Sequence, residues 1–161
     1  MEIERKFLAD PTALDLEMYT KTEMTQGYLF TDPVLRIRQK NDSYILTVKS
    51  GGLLAREEYE IDLTREQYER MAGSVQGLFI QKTRYLIPCP PYTIELDLFH
   101  GSLEGLVYAE VEFPSVEEAK AFTPPAWFGR EVTEDGSFTN AALSKMNEEE
   151  LAEFLRKLKT P

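Results

Sequence analysis

The chain has one cysteine, one histidine and one tryptophan among its 161 residues, and the first two of these scarcities close off whole classes of protein. A single Cys89 cannot build an internal disulfide framework; set between prolines without a base partner it reads as structural, and it fits a reducing, cytosolic compartment. His100, in a turn before Gly101, has no second histidine with which to make a metal pair and reads as a solvated residue without chemistry. No apolar run approaches the ~20 residues of a membrane span and no secretory apolar region precedes the first strand, so no membrane partner is expected. The chain also lacks a fixed-period repeat, a low-complexity segment or a linker, so residues 1–161 are expected to form one domain. Basic residues are outnumbered, 18 Lys and Arg against 28 Asp and Glu, and the net charge of −10 argues against a general nucleic-acid surface.

What is present is charge arranged in rows. With a period of two, Ile3 and Phe7 fall on one side of an opening strand while Glu2, Glu4 and Lys6 fall on the other, alternate residues standing ~6.6 Å apart. The pattern recurs. Leu35 and Ile37 oppose Arg36, Arg38 and Lys40; Asn41-Asp42 supplies a two-residue hairpin turn; and the return strand sets Tyr44, Leu46 and Val48 against Ile45, Thr47 and Lys49. Arg56–Leu63 is the clearest strand, with Tyr59, Ile61 and Leu63 on one face and Arg56, Glu58, Glu60 and Asp62 on the other. Phe79–Ile87 places Lys82 and Arg84 together but mixes Ile80 and Leu86 into their row. Tyr92–Phe99 opposes Ile94, Leu96 and Leu98 to Glu95 and Asp97, and Leu106–Phe113 opposes Val107, Ala109, Val111 and Phe113 to Glu110 and Glu112. A further, weaker strand is expected at Met24–Phe30.

Helices are expected at about Pro11–Leu16, from a capping box at Thr64 and Gln67 to about Ala72, from a second box at Ser115 and Glu118 to about Phe122, and at about Glu148–Lys159, where a leucine stripe reads as core docking. Thr123–Gly136 reads as loop-rich. Eight strands with one apolar face each need a covering, and the helices can supply it. The fold expected is therefore α+β: an eight-stranded antiparallel β-barrel with helices packed outside and the charged rows turned inward as a tunnel. A solvated, ion-paired surface would explain any one row, but not all of them beside helices that need an apolar face to dock on. Ionised groups enclosed together cost several kcal/mol each unless paired or bound, which a tunnel binding both cations and a polyanion would resolve. A lipid-carrying barrel would instead need an apolar inner face.

Glu2-Ile3-Glu4-Arg5-Lys6-Phe7-Leu8 resembles the Glu-x-Glu-x-Lys signature of the CYTH family, the triphosphate tunnel metalloenzymes. The resemblance continues in order through Gln26-Gly27-Tyr28-Leu29, Arg36-x-Arg38, Thr47-x-Lys49, Glu58-x-Glu60, Lys82-x-Arg84-Tyr85, Glu95-x-Asp97-x-Phe99, Glu110-x-Glu112, Trp127-x-Gly129-x-Glu131-Val132-Thr133 and the region of Asn140. It implies an eight-stranded barrel forming a charged tunnel, and a Mg²⁺- or Mn²⁺-dependent enzyme acting on a small-molecule triphosphate. The chain looks most like the small bacterial members, several of which prefer inorganic triphosphate, so tripolyphosphate hydrolysis to phosphate and pyrophosphate is the expectation. Adenylyl cyclisation of ATP, thiamine or nucleoside triphosphate hydrolysis, and a non-catalytic polyphosphate- or nucleotide-binding module remain open alternatives. The resemblance also leaves room for a homodimer.

On this reading Glu2, Glu4, Glu110 and Glu112 would hold the metal, since hard cations take several carboxylate oxygens. Arg36, Arg38, Lys49, Lys82 and Arg84 would grip phosphate oxygens, and Glu58, Glu60, Glu95 and Asp97 would support those cations or bind a second metal. Lys6 matches the signature lysine, which also contacts substrate, and Tyr28 matches a tyrosine assigned with it to a catalytic dyad; read alone, Tyr28 is an ordinary packing or hydrogen-bonded residue. By parity Arg56 and Lys40 belong to the tunnel, although Lys40 sits at a strand end and reads as solvated. Trp127 with Phe128 reads as packing at the end of the barrel.

Overall fold

Backbone pairing follows the period-two rows. The structure, a computed structural model, describes residues 1–159. Its strands are β1 (Glu2–Ala9), β2 (Thr20–Thr31), β3 (Val34–Lys40), β4 (Ser43–Lys49), β5 (Ala55–Arg56), β6 (Glu58–Leu63), β7 (Gln76–Cys89), β8 (Tyr92–Phe99), β9 (Val107–Glu112) and β10 (Phe128–Glu131). The helices are α1 (Arg65–Ala72), α2 (Val116–Ala121), α3 (Asn140–Ser144) and α4 (Glu148–Leu158). All pairings are antiparallel, in the order β10-β1-β9-β8-β7-β2-β3-β4-β6, with β5 on β1.

The sheet curls into a nearly closed barrel because one bent strand serves both of its ends. β5 and β6 are separated only by Glu57: β6 pairs with β4 from Lys49↔Glu58 onward, while β5 pairs with β1 at Glu2↔Arg56 and Ile3↔Ala55. Ser50 bridges the bend, its N–H donating to the Glu57 carbonyl (3.0 Å) and its Oγ accepting from the Glu57 N–H (2.9 Å). Counting β5 and β6 as one wall gives the eight expected positions. The expectation missed β10 inside the loop-rich stretch. β10 takes the part of the β1 edge that β5 leaves free, with Phe7↔Glu131 and Ala9↔Phe128 in register.

Two apolar clusters divide the barrel. On the outside, Ile3, Ile87, Ile94, Leu96, Ala109, Val111 and Phe113 pack beneath α2 through Ala119. α1 covers β3, β4 and β6, with Tyr68 against Tyr44 at 5.0 Å between ring centroids. The second cluster is inside. Ile80, Phe99 and Tyr108 share the inward parity of Lys82, Asp97 and Glu110, and pack with Phe138, Leu143 and Leu151 of the C-terminal segment. Burial of each such side chain contributes about 1.5–3 kcal/mol. The barrel interior therefore has an apolar floor under a charged lumen, and α3 and α4, packed outside as expected, close over that floor. This explains the mixed row of β7: Ile80 belongs to the floor, Lys82 and Arg84 to the lumen, and Leu86 is exposed.

Local differences have local reasons. The helix expected at Pro11–Leu16 is two short 3-10 turns, Pro11–Ala13 and Leu16–Met18, the first capped by Asp10. The Thr64 box forms in full; at Ser115 only the N-cap half forms, since the Glu118 carboxylate accepts from the Tyr92 hydroxyl (2.8 Å). His100 is not simply solvated: its Nε2 meets Thr83 Oγ1 at 2.7 Å and its Nδ1 lies 3.6 Å from Glu104. Among the described residues no helix is long and apolar enough to cross a membrane.

Candidate active site

The inward rows enclose a cavity of about 430 Å³. Of the residues expected in the site, Glu2, Glu4, Lys6, Tyr28, Arg36, Arg38, Lys49, Glu58, Glu60, Lys82, Arg84, Glu95, Glu110 and Glu112 line it; so do Lys40, at its exposed rim, and Arg56. Asp97 does not reach the lumen, being fully buried behind Lys82 and Arg84, and Asp62 is exposed beyond the lining.

The basic groups differ in how they are compensated. Arg84 makes a forked bond to Asp97, Nε at 2.7 Å and Nη2 at 2.9 Å, and its Nη1 meets Glu95 at 3.0 Å. Lys82 Nζ lies 2.7 Å from Asp97, and Lys49 Nζ is held by Glu2 (2.9 Å) and Glu58 (3.3 Å). Burial works against ionisation of Asp97, but Arg84 and Lys82 outweigh it and hold the carboxyl well below the usual range. With Arg84 taking that one negative charge in a fork, Lys82 is the under-neutralised cation: burial, aided by Arg84 and Arg38, lowers it to about 7. Arg36 and Arg38 make no ion pair among the described residues. Arg36 Nη2 donates to Thr47 Oγ1 (3.2 Å), and its Nε is the one buried side-chain polar atom there without a partner. Arg38 Nε donates to Gln26 Oε1 (2.8 Å); burial and the neighbouring Arg36 and Arg84 lower it to about 9, which leaves it charged at neutral pH. Two buried guanidinium groups that line the lumen and make no ion pair among the described residues are a site for an anion.

The opposite imbalance lies on β1 and β9. Register places Glu4 directly across from Glu112, and Lys6 across from Glu110. Glu4 makes no ion pair among the described residues, and burial followed by the charges of Glu110 and Glu2 pushes it up to about 8, against the smaller pull of Lys6 and Lys49. Glu112 is raised by burial and then by Glu2, Glu95 and Glu58. Such a surplus of hard oxygen donors fits a divalent cation. Among the described residues no three acidic, histidine or cysteine side chains already converge at ligating distance. Glu2 is bonded to Lys49, and Glu110 lies 3.7 Å from both Lys6 and Arg84, so those two would exchange ion pairs for a metal. Lys6 Nζ also sits over the Tyr108 ring at 5.0 Å; Tyr28, on a different strand, accepts at its hydroxyl from Gln26 Nε2 (3.1 Å), and no hydrogen bond joins Lys6 to Tyr28 among the described residues.

Sequence reasoning missed the neutral side chains that hold these groups. Gln26 and Asn140 bridge Arg38 to Lys82, with Gln26 Nε2 to Asn140 Oδ1 at 3.3 Å and Lys82 Nζ to Asn140 Oδ1 at 3.2 Å. Behind β1, Arg5 makes a forked bond to Glu131 (2.9 and 2.7 Å) and donates to the carbonyls of Ala119 and Phe122; Thr133 Oγ1 accepts from the Lys6 N–H (2.9 Å). The resemblance placed Gln26, Arg5, Glu131, Thr133 and the region of Asn140 inside its motifs, but neither it nor their residue types gave them a role in holding the charged groups.

Known proteins are similar to this chain along most of its length. A curated inorganic triphosphatase of Nitrosomonas europaea is 46% identical over 147 residues, spanning 89% of this chain and 96% of that protein. A second, from Acetivibrio thermocellus, is 37% identical over 148 residues, 89% of this chain and 93% of its own length. The crystal structure of the inorganic triphosphatase NE1496 superposes with a TM-score of 0.68 at 42% identity, covering 91% of this chain and 96% of that one. The sequence model of the CYTH domain matches residues 1–147, and with these relatives it establishes that the chain belongs to the CYTH domain family.

Proposed function

We propose that the protein is a hydrolase of inorganic triphosphate, releasing phosphate and pyrophosphate, and that residues 1–161 work as one such unit. The observation that supports this reading is the polarity of the cavity: two buried arginines, Arg36 and Arg38, and two carboxylates, Glu4 and Glu112, share one lumen and make no ion pair among the described residues. Triphosphate brings the anion, and a divalent ion held by Glu2, Glu4, Glu110 and Glu112 brings the cation; Mg²⁺ and Mn²⁺ are the candidates. When bound, the ion supplies neutralisation of phosphate charge and a more acidic water. Arg36 and Arg38 grip the chain of phosphates in forked geometry, and Arg84 and Lys82 contribute field from the adjacent wall. Lys6, released from Glu110, neutralises the charge that develops as the anhydride bond breaks. Tyr28 is the one aromatic side chain lining the cavity among the described residues, so the lining offers little for a nucleobase or a thiazolium ring to stack on. That favours the inorganic substrate over nucleoside or thiamine triphosphates.

The test is phosphate release from tripolyphosphate, ATP and thiamine triphosphate, each with Mg²⁺, with Mn²⁺ and with EDTA. Fast metal-dependent release from tripolyphosphate, abolished by Glu4→Gln, is expected. Consumption of ATP without release of phosphate would replace this reading with the cyclase, and metal-dependent binding without turnover would leave a binding module.

A further inference from the structure

The neutral network beside the cations has a direction, and its direction can be read from the two charged ends. In its ammonium form beside Asp97 (2.7 Å), Lys82 Nζ only donates, so the Asn140 atom that meets it at 3.2 Å is the carbonyl oxygen. Arg38 Nε only donates, so the Gln26 atom that meets it at 2.8 Å is likewise the oxygen. Both amides are thereby locked in a single orientation. Gln26 Nε2 then donates to Asn140 Oδ1 (3.3 Å) and to the Tyr28 hydroxyl (3.1 Å).

Two consequences follow for the lumen. Tyr28 Oη, having accepted from Gln26, keeps its own proton to donate, and Tyr28 lines the cavity. Asn140 Nδ2, turned away from Lys82, has no protein acceptor among the described residues; Asn140 is 9% exposed, and it too lines the cavity. The backbone beneath is firmly seated. α3, which starts at Asn140, packs on β7 at Gly77, whose φ of +76° and missing Cβ admit the Ser144 carbonyl; a Cβ there would stand 2.1 Å from that oxygen. Donors fixed in advance toward an anion need no reorganisation when charge develops.

We propose that Gln26 is a positioning residue that makes the Tyr28 hydroxyl a hydrogen-bond donor to the bound triphosphate, and that Asn140 contacts the same phosphates through Nδ2. This rests on the triphosphatase reading above and adds to it a polarity for Tyr28 and a substrate contact from the C-terminal segment. The phosphate site is accordingly incomplete without α3.

The experiment combines steady-state kinetics on tripolyphosphate with Mg²⁺ and calorimetric binding of tripolyphosphate in EDTA, on the full chain. Gln26→Glu keeps an acceptor for Arg38 but offers Tyr28 a carboxylate instead of a donor, so its hydroxyl turns from the lumen; kcat should fall about 10²-fold with KM little changed. Tyr28→Phe should fall similarly, and the double variant no further. Full wild-type kcat in Gln26→Glu, or additive losses, would overturn the positioning role. Gln26→Met, which removes both bonds without adding charge, replaces Gln26→Glu if that variant does not fold, with the same non-additivity expected. Asn140→Asp keeps the acceptor for Lys82 and puts an oxygen where Nδ2 stands; KM and the calorimetric Kd should rise about 10-fold or more while Tm holds. Wild-type affinity in Asn140→Asp would refute the contact, as would a loss of affinity matched by a fall in Tm. If the wild type binds tripolyphosphate without cleaving it, the hydrolase reading fails alone and the affinities still decide the Asn140 contact. Absence in the wild type of both turnover with Mg²⁺ and binding overturns both.

Discussion

Arg36-x-Arg38 on β3 and Lys82-x-Arg84 on β7 look alike in the sequence, two basic residues one step apart on an inward row. Their surroundings are opposite. Lys82 and Arg84 close on Asp97, a carboxylate that has no exposure and gives each of them a bond of 2.7 Å. Arg36 and Arg38 have Thr47 and Gln26, neutral groups that orient a guanidinium without neutralising it. A buried ion pair is already satisfied and tells little of a ligand; a buried unpaired cation keeps its desolvation cost until an anion arrives. Arg84, locked in its fork to Asp97, holds the barrel together, while Arg36 and Arg38 wait for substrate, although one motif description covers both pairs.

The greatest loss is expected at Asp97. Asp97→Ala leaves Lys82 and Arg84 buried without their counter-charge, and loss of one partner in such a pair costs on the order of 3–5 kcal/mol. Chemical denaturation should register that loss with or without tripolyphosphate. Next come Arg36→Met and Arg38→Met. Removing an uncompensated buried charge should leave the stability of the ligand-free protein unchanged or raise it, while triphosphatase activity falls about 10²–10³-fold. A denaturation midpoint that falls with activity in these variants would place Arg36 and Arg38 on the structural side after all.

Parity makes most of the fold legible in the sequence: which strands exist, which face is charged, and that helices cover the other. It could not give register, and register is what brings Asp97 opposite Arg84 and Glu112 opposite Glu4. Face assignment alone therefore put all the charged residues in one group. β10 was invisible because Phe128-Gly129-Arg130-Glu131 is too short for a period and follows Pro124-Pro125; it exists because β1 has an edge to fill. α3 escaped for a related reason, with five residues and a seat determined by Gly77 on a distant strand. Gln26 and Asn140 carry no charge, so nothing in a charge pattern could single them out.

The acidic wall supplies the same contrast through pH. Glu4 stands at about 8 against an ordinary 4.5, so between those values the folded chain holds more protons than the unfolded one and stability falls as pH rises. In EDTA the melting temperature should decline from about pH 5 to about pH 8, and Glu4→Gln should flatten that decline. Lys82, lowered to about 7 from 10.5, acts with the opposite sign above about pH 7, which is why the difference between wild type and Glu4→Gln is the quantity to read. Divalent metal, which takes the ionised carboxylates, should raise Tm more at about pH 8 than at about pH 5. Equal stabilisation at both ends would mean that the ion is held elsewhere.

The smallest expected effect tests the outer support of β1. Arg5 and Glu131 form a forked bond outside the lumen, with side-chain exposures of 16% and 37%. A pair this open to water contributes little as charge, about 0–1 kcal/mol. Arg5 does more than pair, because it also donates to the carbonyls of Ala119 and Phe122 and lies 5.1 Å from the Phe7 ring, tying α2 and β10 to the strand that carries Glu4 and Lys6. Glu131→Gln should therefore cost about 1 kcal/mol or less, since an amide still accepts from the guanidinium, and activity should stay near wild type. Arg5→Met should cost more than Glu131→Gln by stranding two carbonyls. If the two variants are equal in stability, the carbonyl bonds carry nothing and β1 is held by its strand pairing alone. If Glu131→Gln instead lowers kcat strongly while leaving Tm unchanged, the alignment of Lys6, whose N–H is held by Thr133 beside Glu131, is controlled from outside the barrel.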